Sequence, residues 1–170
     1  MRYWTLVFAL FIGIMEGSIA NPAFLQQPPN FTGHWVQDPR PTPNEEAGPF
    51  CGLECNITQD AKVLTVIIRG APLTGTYKLD GSPETTTSTL SGHTVQMSVT
   101  ARWDGATLVI TRQTGPVGGS PTTGSIARLS LKNGRLVIES SWLSLKDGRL
   151  VEDPSGGIGP GRPFVYKLVK

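Results

Sequence analysis

The stretch "HTVQMSVTARWDGATLVITRQTG", residues 93–115, decides the fold. Its apolar residues alternate on both sides of Asp104-Gly105, a period-2 pattern around a turn dipeptide that specifies a β-hairpin. With Asp104-Gly105 as a two-residue turn, Trp103 faces Ala106, Ala101 faces Leu108, and Val99 faces Ile110, all on one apolar face. Thr100, Arg102, Thr107 and Thr111 then share the other face. The same register puts a cation, Arg112, on the apolar face opposite Met97, with His93 further along at the same end.

A second hairpin, "SIARLSLKNGRLVIESSW" (125–142), turns at Asn133-Gly134. Leu131 then faces Leu136 and Leu129 faces Ile138, while Arg128 faces Glu139 on the opposite side. Opposite charges so placed help to fix register. "SLKNGRLV" recurs fourteen residues later as "SLKDGRLV", which predicts another turn at Asp147-Gly148. No stretch holds an amphipathic helical period over ten residues. Short Val/Ile/Leu/Thr runs separated by Asp-Gly, Asn-Gly and Gly/Pro clusters predict an all-β chain, an antiparallel up-and-down meander of about eight to ten strands.

Tight turns at Asp60-Ala61, Asp80-Gly81, Asp104-Gly105 and Asn133-Gly134 fall at alternate connections, and the loops between them include "RGAPLTG", "LSGH" and "TGPVGGSPTTG". In an up-and-down sheet alternate connections share an end. One end is therefore closed by tight turns and the other rimmed by longer loops. A closed or nearly closed barrel follows, since closure removes exposed sheet edges. A β-sandwich has the same strand spacing and remains the competing architecture.

The remaining segments give organisation and address. Residues 1–20 combine Arg2, an apolar run from Leu6 to Met15 and the small residues Ser18 and Ala20. Those are the parts of a secretory signal peptide cleaved after Ala20, and the run is shorter than the ~20 residues of a spanning helix. The expected location is secreted or periplasmic, with no membrane span. Residues 21–50 form a Pro-rich N-terminal arm with one short strand, Gly33–Gln37. Residues 51–170 form the barrel domain. With 15 Lys+Arg against 13 Asp+Glu and no basic stripe, nucleic acid is not an expected partner.

"NFTGHWVQDP" contains Gly33-x-Trp35, which resembles the Gly-x-Trp on the first strand of lipocalins; avidin-like barrels open comparably. The chain is also similar to small exported bacterial proteins described as lipocalin-like. This calycin-type resemblance implies a ligand-binding barrel, with Trp35 packed at its closed end.

Candidate chemistry is sparse. Cys51 and Cys55 in "PFCGLEC" suit a structural disulfide in an oxidising compartment. Residues four apart on a strand are about 13 Å distant, whereas a disulfide needs Cα atoms within roughly 7 Å. Either 51–55 is a turn and the bond forms, or the segment is strand and the thiols are free; Gly52 favours the turn. Two thiols without an adjacent His are a poor metal set. No nucleophile elbow, zinc-protease motif or phosphate loop occurs, so no enzyme activity, catalytic residue, metal or cofactor is expected. The hairpin registers gather Arg112, His93, Met97 and Trp142 at the open end. An apolar cup with a few polar groups at its mouth suits a small apolar or amphipathic ligand. Against it stands the reading that Arg112 snorkels to water at a strand end. Two further readings are a cell-envelope interaction module with a filled interior, and a haem-binding barrel with His93 as axial ligand.

Overall fold

The computed structural model describes residues 27–41, 47–71, 74–90, 92–153 and 163–169. The expected signal segment and most of the loop 154–163 lie outside these residues. Eleven antiparallel strands and no helix are found among them: β1 (Gly33–Gln37), β2 (Glu54–Gln59), β3 (Val63–Ile68), β4 (Thr74–Lys78), β5 (Glu84–Leu90), β6 (His93–Asp104), β7 (Thr107–Pro116), β8 (Thr123–Lys132), β9 (Arg135–Lys146), β10 (Arg149–Asp153) and β11 (Phe164–Val169).

They form one sheet in the order β4-β3-β2-β1-β11-β9-β8-β7-β6-β5, with β10 paired to the far half of β9. The sheet curls into a nearly closed barrel with one unsealed seam, between β4 and β5. The expected tight turn at Asp80-Gly81 therefore makes no hairpin. Asp80 accepts from the Ser82 hydroxyl and backbone N–H, which holds its carboxyl below the usual range, and the chain crosses the seam there. Lys78 and Glu84 face each other across it at 3.1 Å.

The turn chemistry explains which registers were readable. Asn133 and Gly134 both have positive φ, as do Asp147 and Gly148, so both copies of the repeat make the expected two-residue turns. Leu131 faces Leu136 and Arg128 faces Glu139, as the sequence predicts. Arg128, however, reaches past Glu139 to Glu152 on β10, at 2.8 Å through both guanidinium nitrogens. The first hairpin differs. Gly105 has φ +57° while Asp104 and Ala106 do not enter that region, and Asp104 pairs with Thr107. Gly105-Ala106 is the turn, with glycine in its first position. Every partner shifts by two residues: Trp103 faces Leu108, Ala101 faces Ile110, and Arg112 faces Val99 instead of Met97. A shift of two preserves the face, so the apolar side is the expected one; only Ala106 leaves it for the turn.

The core fills the tight-turn end. Phe31, Leu64, Leu108, Leu129, Leu136, Ile138 and Tyr166 are fully buried, and Phe31 stacks on Trp103 with ring centroids 5.8 Å apart. Trp35 is buried there too, its indole donating to the Phe31 carbonyl at 2.8 Å. Strands β6 to β9 have ten to twelve residues and β1 to β4 only five or six. At about 3.3 Å per residue the tall wall outreaches the short one by roughly 15–20 Å.

Candidate functional site

Along the inner face of the tall wall, side chains stack in rows that change character with height. The row Trp103, Leu108, Leu129, Ile138 is wholly apolar; the next is Ala101, Ile110, Ala127, Ser140; the third is Val99, Arg112, Ser125, Trp142. Polar groups enter where the short wall ends. A cleft of about 160 Å³ opens there, floored by Ile110 and Ala127 and flanked by Arg112, Ser125, Ser140 and Trp142. Pro49 and Phe50 close its near side.

The loop bearing Phe50 is fixed from four directions. Cys51 and Cys55 are disulfide-bonded with Cα atoms 5.2 Å apart, so the bond forms as expected, but within 51–55 the turn is confined to 51–53 and Cys55 already lies on β2. Gly52, at φ +61°, donates its N–H to the Gly48 carbonyl at 2.7 Å. The buried Gln37 accepts from the Gly48 N–H, and Tyr166 donates its hydroxyl to the Gly52 carbonyl at 3.0 Å. Burial pushes the Tyr166 hydroxyl pKa far up, so it stays a donor. A Cβ at position 48 would run into that hydroxyl, which is why glycine stands there.

Arg112 does not snorkel outward. Its guanidinium donates to the Tyr77 hydroxyl and lies 5.6 Å from the Tyr77 ring centroid and 5.9 Å from that of Phe50. The two rings stack at 5.5 Å, and both residues are almost completely buried. Cation–π contacts of this kind contribute about 0.5–2 kcal/mol each. They hold the cation but leave its charge uncompensated: no carboxylate forms an ion pair with Arg112 among the described residues.

Of the residues singled out from sequence, the structure brings Arg112 and Trp142 to one cleft. Met97 stands one row higher on β6, opposite Thr114 and outside the cleft lining. His93 is exposed at the far end of β6, six residues beyond Val99 and so about 20 Å along the strand. The loop at 117–122, taken from sequence as part of the rim, is closed by Gly119 N–H to Pro116 and Thr122 N–H to Thr114. Phe50 and Tyr77 were missed. Alternation in "TGTYK" could have marked Tyr77 as inward-facing, but nothing local to it indicates that it meets Arg112.

A larger groove of about 450 Å³ runs over the outer wall beside His34, Asp38, Glu54, Arg69 and Lys167. Arg40 lines it too, and both of the groove's carboxylates are ion-paired. Glu54 accepts from Arg69 and His34, each at 2.5 Å, and the Arg69 hydrogen bond leads in holding its carboxyl below the usual range. Asp38 pairs with Arg135 and Lys167. The inner cleft, where a cation with no carboxylate partner among the described residues meets an apolar floor, is therefore the candidate site. Among the described residues no three His, Cys, Asp or Glu side chains gather as a metal site.

No family model matches the sequence, and no curated protein matches it. Among solved structures, one described as "REP1-NXSQ fatty acid transporter" aligns with 82% of this chain and 96% of its own, at 14% identity and a TM-score of 0.47. Likeness at that level carries no ligand across. What stands for this chain is a nearly closed antiparallel barrel with an Arg-bearing cleft.

Proposed function

We propose that the protein is an exported, non-catalytic barrel that holds a small, partly apolar molecule by an anionic group. The observation that carries this is the Arg112 guanidinium, packed against the stacked Phe50 and Tyr77 rings beside an apolar floor, with no carboxylate of the described residues to neutralise it. A small anion would complete the pairing, with the Ser125 and Ser140 hydroxyls as further donors. Its body would lie against Ile110, Ala127 and the Trp142 ring. Size narrows the class. A dry cavity of about 150 Å³ takes benzene, whereas drug-sized ligands occupy about 300–1,000 Å³. The cleft suits an aromatic or short-chain carboxylate, or the acidic end of a longer molecule whose remainder lies outside. The Cys51–Cys55 bond is compatible with an oxidising, extracytoplasmic location.

A filled-barrel interaction module is the second reading, favoured by the packed interior from Phe31 up to Ile110. The haem reading draws no support from an exposed His93 and a cleft this small.

Titration with benzoate, octanoate and benzyl alcohol, followed by tryptophan fluorescence and calorimetry, tests the proposal. Saturable binding of a carboxylate, with the alcohol far weaker, is the expected result. Equal binding of acid and alcohol would remove the anionic anchor. No binding by any probe, with no small molecule retained in native mass spectrometry of protein from its own compartment, would leave the interaction module.

A further inference from the structure

The unsealed seam leaves two sheet edges, and they differ in kind. The β4 edge is short, carries Lys78 and contains Gly75, and β10, which pairs with β9 alone among the described strands, carries Arg149 and Glu152. Short length, charge and glycine are the features that keep edges from pairing. β5 has none of these over most of its length. "ETTTSTL" (84–90) is seven residues long, its one charge is Glu84 at the end, and Glu84 already pairs with Lys78. Thr85, Thr86, Thr87 and Thr89 are exposed. On its inner side β5 pairs with β6 throughout, from Glu84 opposite Val99 to Leu90 opposite His93. On its outer side no described strand pairs with it.

We infer that the β5 edge is a self-association surface, where a second copy of this chain pairs its own β5 antiparallel about a two-fold axis at Thr87. The occupant follows from self-complementarity. In the register that pairs all seven residues, Thr87 meets Thr87, Thr86 meets Ser88, and Thr85 meets Thr89. Such Thr–Thr and Thr–Ser pairs are favourable cross-strand neighbours. Glu84 meets Leu90, so no like charges oppose. An apolar peptide would find no side-chain pockets on this hydroxyl-lined edge, whereas a second β5 matches it residue for residue. The contact is isologous and closes at two copies.

One seven-residue edge falls below the roughly 1,200 Å² of stable complexes, which places the dimer in the weak, transient class. Sedimentation equilibrium of the whole protein should show the average mass rising from monomer toward dimer across about 10 μM to 1 mM. Thr87→Lys sets two lysines face to face and should weaken association at least about ten-fold. Mixing Thr87→Lys with Thr87→Glu should restore it as a heterodimer. Thr87→Cys gives a readout independent of affinity. Directly opposed residues have Cα atoms about 4.5–5.5 Å apart, within disulfide range. This variant should cross-link rapidly under mild oxidant, while cysteine at the exposed Lys62 should not. A chain that stays monomeric up to 1 mM, or a dimer that Thr87→Lys and Thr87→Glu leave unchanged, would overturn the inference. So would Thr87→Cys and Lys62→Cys cross-linking at equal rates.

Discussion

Arg112 on β7 donates to the Tyr77 hydroxyl on β4, two residues whose strands lie on opposite sides of the seam. The bond crosses the barrel interior where no backbone ladder connects the walls. It sets the guanidinium in the cleft and ties the short wall to the tall one. A snorkelling arginine would do neither.

Replacing Arg112 by Met therefore has two expected effects. Loss of the charge-assisted contact to a ligand should weaken carboxylate binding about ten- to a hundred-fold. Loss of the Tyr77 bond and ring contacts should lower unfolding stability by about 1–2 kcal/mol. Denaturant titration reads the second effect separately from the first. Tyr77→Phe keeps the stack on Phe50 and should reproduce a smaller share of each.

Removing the staple by joint Cys51→Ser and Cys55→Ser substitution should cost about 2 kcal/mol for so short a loop in the chain-entropy treatment. Phe50 would lose one of its four anchors, and ligand affinity should fall with it. A fall in stability with affinity unchanged would show that Gly48, Gln37 and Tyr166 suffice to seat the ring.

Gly124 has almost no room for a side chain. A Cβ there would meet the Arg112 backbone carbonyl, with Leu143 Cδ1 at 3.1 Å behind it. Gly124→Ala should push β7 and β8 apart, costing about 1–3 kcal/mol as overpacked sites do. It should also displace Arg112 and weaken carboxylate binding without touching a cleft-lining side chain. Matched melts and titrations of the two proteins check both parts.

The Arg128–Glu152 pair gives acid stability a definite sign. The Arg128 guanidinium, and after it the Ser141 hydroxyl, hold the Glu152 carboxyl below the 4.5 of a free glutamate. Through that window the unfolded chain binds the proton first. The contribution is thus fully present above about pH 4.5 and lost as pH falls through the lower, folded value. Both side chains are about a third exposed, so solvent screening limits the effect to under about 1 kcal/mol. Melting temperature against pH should drop less steeply between pH 5 and about 3 for Glu152→Gln than for the native chain, because the variant has no carboxyl to protonate.

The strands and most of their faces were legible because period-2 alternation and turn dipeptides are local signals. Asn133-Gly134 fixed its hairpin because both residues take positive φ. Asp104-Gly105 misplaced its turn by one residue because glycine also serves as the first position of the mirror type II turn, and sequence does not say which applies. The face survived and the partner of Arg112 did not. Tyr77 and Phe50 were illegible as site residues because they reach Arg112 only through curvature and the closing of the wall. Residues 35 and 62 positions away in the chain leave no mark in its own neighbourhood. His93 shares a face with Arg112, and strand length alone separates them.

β11 is the one strand whose backbone pairing joins β1 through β4 to the rest of the sheet, with β1 on one side and β9 on the other. It is also the last described strand along the chain. During synthesis the two meanders are complete before the piece that joins them exists, and the facing edges of β1 and β9 stay open until residues 164–169 emerge. Closure is thus a late, long-range event, the slow kind in which loop entropy is lost before contacts repay it. Until it happens the chain carries unpaired edges of the sort that recruit other chains. Deleting 164–169 would leave two edge-exposed half-sheets, and aggregation would report the loss before any ligand assay did.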